Sequence, residues 1–147
     1  MKPTPPDLRH AFTIVAEVAP SEALERRGDA TLEYIPITGG RVTGDLSGTV
    51  LPGGGDWCLV RADGVFRVEA RYLIRTDAGE LVDVHNVGYL RHVAGDTGDW
   101  TAMRYFQSTP VFRTASPDLQ HLTSTVFLGR AHAGPGATTV EVFEVLA

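Results

Sequence analysis

Short, largely apolar runs separated by glycine, proline and aspartate recur along this chain, and in several of them apolar and polar residues alternate with a period of two. Successive side chains of an extended backbone point to opposite faces, so the pattern predicts strands with at least one covered face. From Ala11 the run AFTIVAEVA is apolar and β-branched, which suits such a strand. LEYIPI at 32–37 is the next, ending at Gly39 and Gly40, and RVTGDLSGTVL follows with Gly44 and Gly48 inside a strand-like pattern. Glycines within strands mark bulges or tight bends, which is how a sheet curls enough to close. WCLVRA and VFRVEARYLIRT flank Asp63-Gly64, read as a two-residue hairpin, and RYLIRT and ELVDVHNVGYLRH flank a second turn at 76–79. Strands resume near 100–106, 109–114, 122–131 and 138–146, and the polar, glycine-rich stretch 91–99 reads as a mobile loop.

One segment departs from the pattern. PSEALERRG at 20–28 has Pro and Ser at its start, Glu early, Arg late and Gly at its end, the order expected of a short helix. The prolines at 3, 5 and 6 predict an extended N-terminal arm over 1–10. About eight to ten strands joined by hairpins, with at most one short helix, leave two architectures, a sandwich and an up-and-down barrel. Dense hairpins and in-strand glycines favour the barrel. The expected fold class is therefore all-β, a single antiparallel up-and-down β-barrel, with 1–147 as one domain because 147 residues suffice for one core and not two.

Composition narrows the function classes. A hydrophobic fraction of 43% and a charged fraction of 21% favour neither disorder nor a membrane protein. No apolar run approaches the roughly 18 residues of a membrane helix, and MKPTPPDLRH lacks the apolar centre of a signal peptide, so a cytoplasmic location is expected. The lone Cys58 agrees with a reducing compartment, and it reads as a half-buried strand residue more readily than as a catalytic thiol, since nothing adjacent lowers its pKa. A net charge of −5, with Arg26-Arg27 as the one adjacent basic pair, argues against a nucleic-acid partner. Self-association stays open, because a period of two does not say which outer face is wet.

Three places could carry chemistry. In VFRVEARYLI, Phe66, Val68, Ala70, Tyr72 and Ile74 share one face and Arg67, Glu69 and Arg71 the other. The plain reading leaves the charged face in water; the functional one turns Glu69 and Arg71 into a barrel cavity, where a carboxylate and a guanidinium orient a polar ligand. Tyr72 and Glu69 could both line that cavity only across a bulge. LPGGGDW at 51–57 is a bare turn or a ligand loop, and the functional reading sets a proton-transferring acid, Asp56, beside a stacking ring, Trp57. In LVDVHNVGYL, Asn86 lies among apolar neighbours on a face with Val82, Val84 and Gly88, so it must find partners or orient a ligand carbonyl. Asp83 and His85 look like a metal pair, yet no third ligand stands at a recognisable spacing, so no metal is expected. Of the loop histidines His92, His121 and His132, His121 is the one to weigh as an acid or base. GxSxG, GxGxxG, Walker, CxxC and HExxH motifs are all missing, so any catalysis should run on acid–base groups with no cofactor.

The string GGRVTGDLSGTVLPGGGDW, then RADG, EARYLIRTDAGELVDVHNVGYLR, YFQSTPVFRT and TVFLG, resembles the DUF3237 family, also called UPF0311, from about residue 12 to the C-terminus. The resemblance implies an antiparallel, lipocalin-like β-barrel and no settled reaction. Position by position it draws attention to Gly53, Gly54, Asp56 and Trp57, to Glu69, Arg71 and Tyr72, and to Asn86, Gly88, Tyr105 and Phe112. The family commonly has Ala at Gly55, often an Arg near Gln107, and Trp-Leu-Asn where this chain reads His121-Leu122-Thr123. The last two departures remove a cation and an indole and add an imidazole, which points to a different substrate or reaction if they line the pocket.

Together these features favour a cofactor-independent isomerase, cyclase or lyase acting next to the carbonyl of a small organic molecule. Asp56 or Glu69 would move the proton, Arg71 and Asn86 would hold developing negative charge, and Trp57, Tyr72, Tyr105, Phe112 and His121 would bind substrate. The rival is a non-catalytic carrier or sensor of an apolar metabolite, expected to have a wholly apolar lumen. A third reading, a barrel that supports an assembly, requires a filled interior and a large apolar outer patch.

Overall fold

Strand β3 (Ala30–Gly44) organises the molecule, because each of its edges carries one strand broken in the middle. On one edge β1 (Leu8–Val18) and β2 (Glu22–Arg27) pair with it in succession; on the other edge β4 (Gly48–Val50) and β5 (Gly54–Val60) do the same. The breaks at 19–21 and 51–53 contain Pro20 and Pro52, and proline has no N–H to give to a ladder. Strands β6 (Phe66–Thr76), β7 (Leu81–Arg91), β8 (Tyr105–Arg113), β9 (Phe127–Gly134) and β10 (Ala137–Val145) follow as antiparallel neighbours, and β10 pairs back onto β1. The computed structural model, which describes residues 1–147, is thus a closed eight-stranded antiparallel β-barrel when each broken pair counts as one strand. This is the architecture expected from the dense hairpins and in-strand glycines.

Closure depends on the in-strand glycines. Where β1 meets β3, Gly40 stands opposite Ala16 with φ 139° and Gly44 opposite Phe12 with φ 120°. A side chain at Gly40 would place its Cβ 1.9 Å from the Val15 carbonyl oxygen, so the seam forms only with glycine there. The two long hairpins use one device: Gly64 donates to the Arg61 carbonyl and Gly79 to the Thr76 carbonyl, each glycine at positive φ. The Asp63-Gly64 loop is therefore three residues, 62–64, with only the glycine at positive φ, and not the two-residue turn expected.

Several local expectations are corrected. Residues 22–27 are strand and not helix: the segment is too short to nucleate a helix alone, and β3 offers its free edge. Gly28, at φ 59°, sits first in the two-residue turn to Ala30, the place where a type II′ hairpin wants glycine. Strand pairing starts at Leu8, inside the expected arm. Short 3-10 turns occupy Trp100–Ala102 and Pro117–Thr123, where strands were expected to begin. The stretch 91–99 is tied down: the Asp96 carboxylate accepts the backbone N–H of Val93 at 2.9 Å and of Arg104 at 3.1 Å and pairs with the Arg104 guanidinium. These bonds, the Val93 N–H first, hold its pKa down at about 2.

The two ends of the barrel differ. At one end Phe12, Phe112 and Phe127 meet edge to face or tilted, with centroids 5.4 Å apart for Phe12–Phe112 and 5.1 Å for Phe112–Phe127. Ile14, Val42, Ile74, Val82, Val84 and Val142 complete this core, and Leu122 of the second 3-10 turn is buried against it. At the other end only Cys58, Val68, Leu90 and Phe106 form a smaller buried cluster. The interior there is not filled.

Candidate functional site

The unfilled end is a cavity of about 450 Å³. Its rim is built from the break at 19–21, the β9–β10 turn at 134–136 and Trp100 of the first 3-10 turn; its wall carries Phe66, Val68, Leu90 and Phe106. The volume falls in the usual range for small organic ligands. Two charged side chains face it, Glu33 and Asp56, and no arginine, lysine or histidine does.

Asp56 is held inward by strand parity. Gly54, Asp56, Cys58 and Val60 of β5 share the inner face, opposite Ile37, Ile35 and Glu33 of β3. The β5–β6 ladder pairs Asp56 with Ala70 and Leu59 with Arg67 but lapses between them, and the Asp56 Oδ1 accepts the Glu69 backbone N–H at 2.8 Å in that gap. Oδ2 has no protein donor and is left to the cavity. Burial drives the Asp56 pKa from the ordinary 3.8 to about 6; the Glu69 N–H opposes the rise and the Glu69 charge adds to it. Burial also pushes the Cys58 thiol up, with the charges of Asp56 and Glu33 acting in the same direction, so Cys58 is no nucleophile here.

Ala70, small enough to leave space, separates Asp56 from Asn86 in one row across β5, β6 and β7. Asn86 is buried, and its Oδ1 has no hydrogen-bond partner; the Ser108 hydroxyl, diagonal to it on β8, has none either. Gly129 stands across from Ser108 and faces its hydroxyl, so the inner wall is polar and thinly packed in this sector.

The expected inward orientation of Glu69 and Arg71 is corrected. Both lie outside: Glu69 binds His85 Nε2 at 2.9 Å and Arg67 Nη1 at 3.3 Å, and Arg71, 62% exposed, reaches Asp83 at 3.4 Å. The His85 bond, then Arg67, holds the Glu69 carboxyl below its ordinary value. No bulge intervenes between Glu69 and Tyr72, so the regular pleat sends Tyr72 inward and Glu69 out. Trp57 is also outside, 43% exposed and packed on Tyr34 with centroids 5.2 Å apart. Tyr105 faces outward under the Arg91 guanidinium, 3.9 Å from its ring centroid. Tyr72 and Phe112 are buried in the packed core and not in the cavity wall. His121 lies at the opposite end, beside a crevice of about 70 Å³ with Arg9 and Asp45. Of the residues expected at the site, the cavity keeps Asp56, with Asn86 in the adjoining row.

The cavity also holds Glu33, Trp100 and Phe106, which the sequence did not single out, and Phe66, which it placed on an apolar face with no role at a site. Glu33 had a signal: in LEYIPI it shares its face with Ile35 and Ile37, and a carboxylate on an aliphatic face is out of place unless it does something.

The structure is a closed barrel with an acid in the wall of a largely apolar cavity, and known proteins share the fold. Residues 6–145 match the family described as "Protein of unknown function (DUF3237)", so the chain belongs to that family. It is 32% identical to a UPF0311 protein of Rhodopseudomonas palustris over 95% of this chain and 97% of that one. The crystal structure of the conserved protein of unknown function from that organism superposes with a TM-score of 0.89, covering 99% of this chain and 100% of the other at 32% identity. A β-barrel-like protein from Acinetobacter baumannii superposes at 0.88 with 30% identity, each chain covered to 99%. An enzyme from Penicillium herquei, 23% identical, shares the fold with a TM-score of 0.79 over 99% of this chain and 98% of its own.

Proposed function

We propose that this chain is a cofactor-independent acid–base enzyme that moves a proton next to the carbonyl of a small, largely apolar organic molecule. One observation carries the reading: Asp56 is an ionisable carboxyl set in the wall of a cavity of about 450 Å³, with its pKa raised to about 6 by burial. A group that titrates near working pH is suited both to take and to return a proton. In the step, Asp56 Oδ2 removes a proton from the carbon adjacent to the carbonyl, the electron pair moves into an enolate, and Asp56 returns the proton at the same carbon or a conjugated one. Asn86 supplies an amide N–H to the enolate oxygen when a ligand reaches its row. Arg71 has no part in this, because it points to the opposite side of the sheet.

The test uses a set of neutral aryl alkyl ketones in D2O, with exchange of the α-hydrogens followed by NMR. Exchange faster than buffer for at least one compound, lost in Asp56→Asn while binding of that compound persists, is the expected result. Binding without exchange across the set refutes the enzyme and favours the carrier, a reading that the apolar remainder of the wall supports.

A further inference from the structure

We propose that the cavity selects an organic cation, a molecule with an apolar body and a protonated nitrogen, and that Glu33 is the residue that anchors the nitrogen. The inference rests on the cavity being the ligand site, as above, and adds the chemical class of what enters it.

The charge distribution inside the barrel is one-sided. Twelve arginines and one lysine would give ample chance for a cation to reach the lumen, yet the charged groups on the cavity wall are the two carboxylates, Glu33 and Asp56. The arginines next in sequence to the wall residues Val60, Phe66 and Leu90 are engaged elsewhere: Arg61 pairs with Asp63 at 2.5 Å, Arg67 with Glu69 at 3.3 Å, and Arg91 lies over Tyr105. No protein cation offsets the two acids. An anionic ligand would therefore enter a desolvated space against two like charges, whereas a cation would neutralise them.

The spacing fits one nitrogen. Glu33 stands opposite Cys58 and Asp56 opposite Ile35, so the two acids are diagonal neighbours on adjacent strands, roughly 7–8 Å apart at the backbone and less at the side chains. Both bear on the Cys58 sulfur between them. An ammonium group bonded to Glu33 also feels the Asp56 charge across the diagonal, leaving Asp56 Oδ2 to the reacting carbon, and charge-assisted bonds of the kind Glu33 would make are about twice as strong as neutral ones. The aromatic side chains that share the cavity, Phe66, Phe106 and Trp100, supply faces for a flat body and for the cation itself. Neither acid makes an ion pair with a protein group, Asp56 taking one backbone N–H and Glu33 having no side-chain hydrogen bond. Both remain available to a ligand.

Three probes of one shape decide the matter: 1-naphthylmethylamine, 1-naphthalenemethanol and 1-naphthoate, titrated at pH 7.5 and low salt by naphthalene fluorescence. The amine should bind at least tenfold tighter than the alcohol, and the carboxylate at least tenfold weaker than the alcohol. Glu33→Gln should lower amine affinity about tenfold and leave the alcohol within twofold, which also reports an intact cavity; if the variant loses the alcohol as well, the wild-type ranking decides alone. Equal or weaker binding of the amine than of the alcohol, or binding of the carboxylate as tight as either, overturns the cation selectivity while the enzyme reading stands. Failure of all three probes to bind overturns both.

Discussion

Replacing Asp56 with asparagine should make this protein more stable, and only above a definite pH. The folded-state pKa of Asp56 is about 6 against 3.8 for an ordinary aspartate, so the folded chain holds this proton more tightly than the unfolded chain does. Between those values the folded state binds more protons, and stability must fall as pH rises through the interval. Roughly two pH units at about 1.4 kcal/mol each amount to on the order of 3 kcal/mol, which is the cost of keeping the buried carboxylate charged at neutral pH. Below about pH 3 the carboxyl is neutral in both states and the cost is gone. The substituted asparagine is neutral throughout, and its side-chain oxygen can still accept the Glu69 N–H that Asp56 accepts at 2.8 Å. Urea unfolding of both proteins at steps from pH 4 to pH 8 measures the difference directly, with other titrating groups cancelling between them. Asp56→Asn should gain about 2–3 kcal/mol at pH 8, about half of that near pH 5, and only about 0.5 kcal/mol at pH 4. A variant that is destabilised equally at both ends of the range would show that Asp56 is a structural hydrogen-bonding group and not a strained acid.

Other outcomes follow from the same geometry. Arg71→Ala should change stability by less than about 1 kcal/mol in urea and leave binding of the naphthyl alcohol unaltered, because its pair with Asp83 is exposed and lies outside the barrel; a large loss of binding would mean that the outer face reaches the ligand. Gly40→Ala should cost on the order of 3 kcal/mol or more in urea unfolding, since the new Cβ would sit 1.9 Å from the Val15 carbonyl oxygen at the closing seam. Phe112→Ala, which opens a hole between Phe12 and Phe127, should cost about 3–5 kcal/mol by the same measurement. Cys58, buried and with its thiol pKa pushed up, should stay unlabelled by a thiol reagent until the protein is unfolded in urea; rapid labelling of the folded protein would refute its placement.

The likeness to solved barrels extends to both termini of the fold. Relatives near 30% identity superpose along the whole chain, which establishes the family and the barrel. No helix is long and apolar enough to cross a membrane. Under the proposed reading, the chemistry resides in Asp56, Glu33 and the space around them.

Alternation is enough to establish that Phe66, Val68, Ala70, Tyr72 and Ile74 share a face, that Asn86 lies among apolar neighbours, and that the chain is all-β, while the dense hairpins and in-strand glycines favour a barrel over a sandwich. Local rules suffice there, because alternation and turn chemistry act over a few residues. It took the closed barrel to show that Glu69, Arg71 and Trp57 face water while Asp56 and Glu33 face a cavity. Whether a strand's polar face looks inward depends on which strands lie beside it and on whether the facing residues fill the lumen; here bulky Phe12, Phe112 and Phe127 fill one end and leave the other open. The helix-like ends of 20–28 misled for the same reason. A six-residue segment takes whatever conformation its neighbour rewards, and the edge of β3, joined to it by the turn at 28–29 and held in place by the rest of the barrel, rewards a strand.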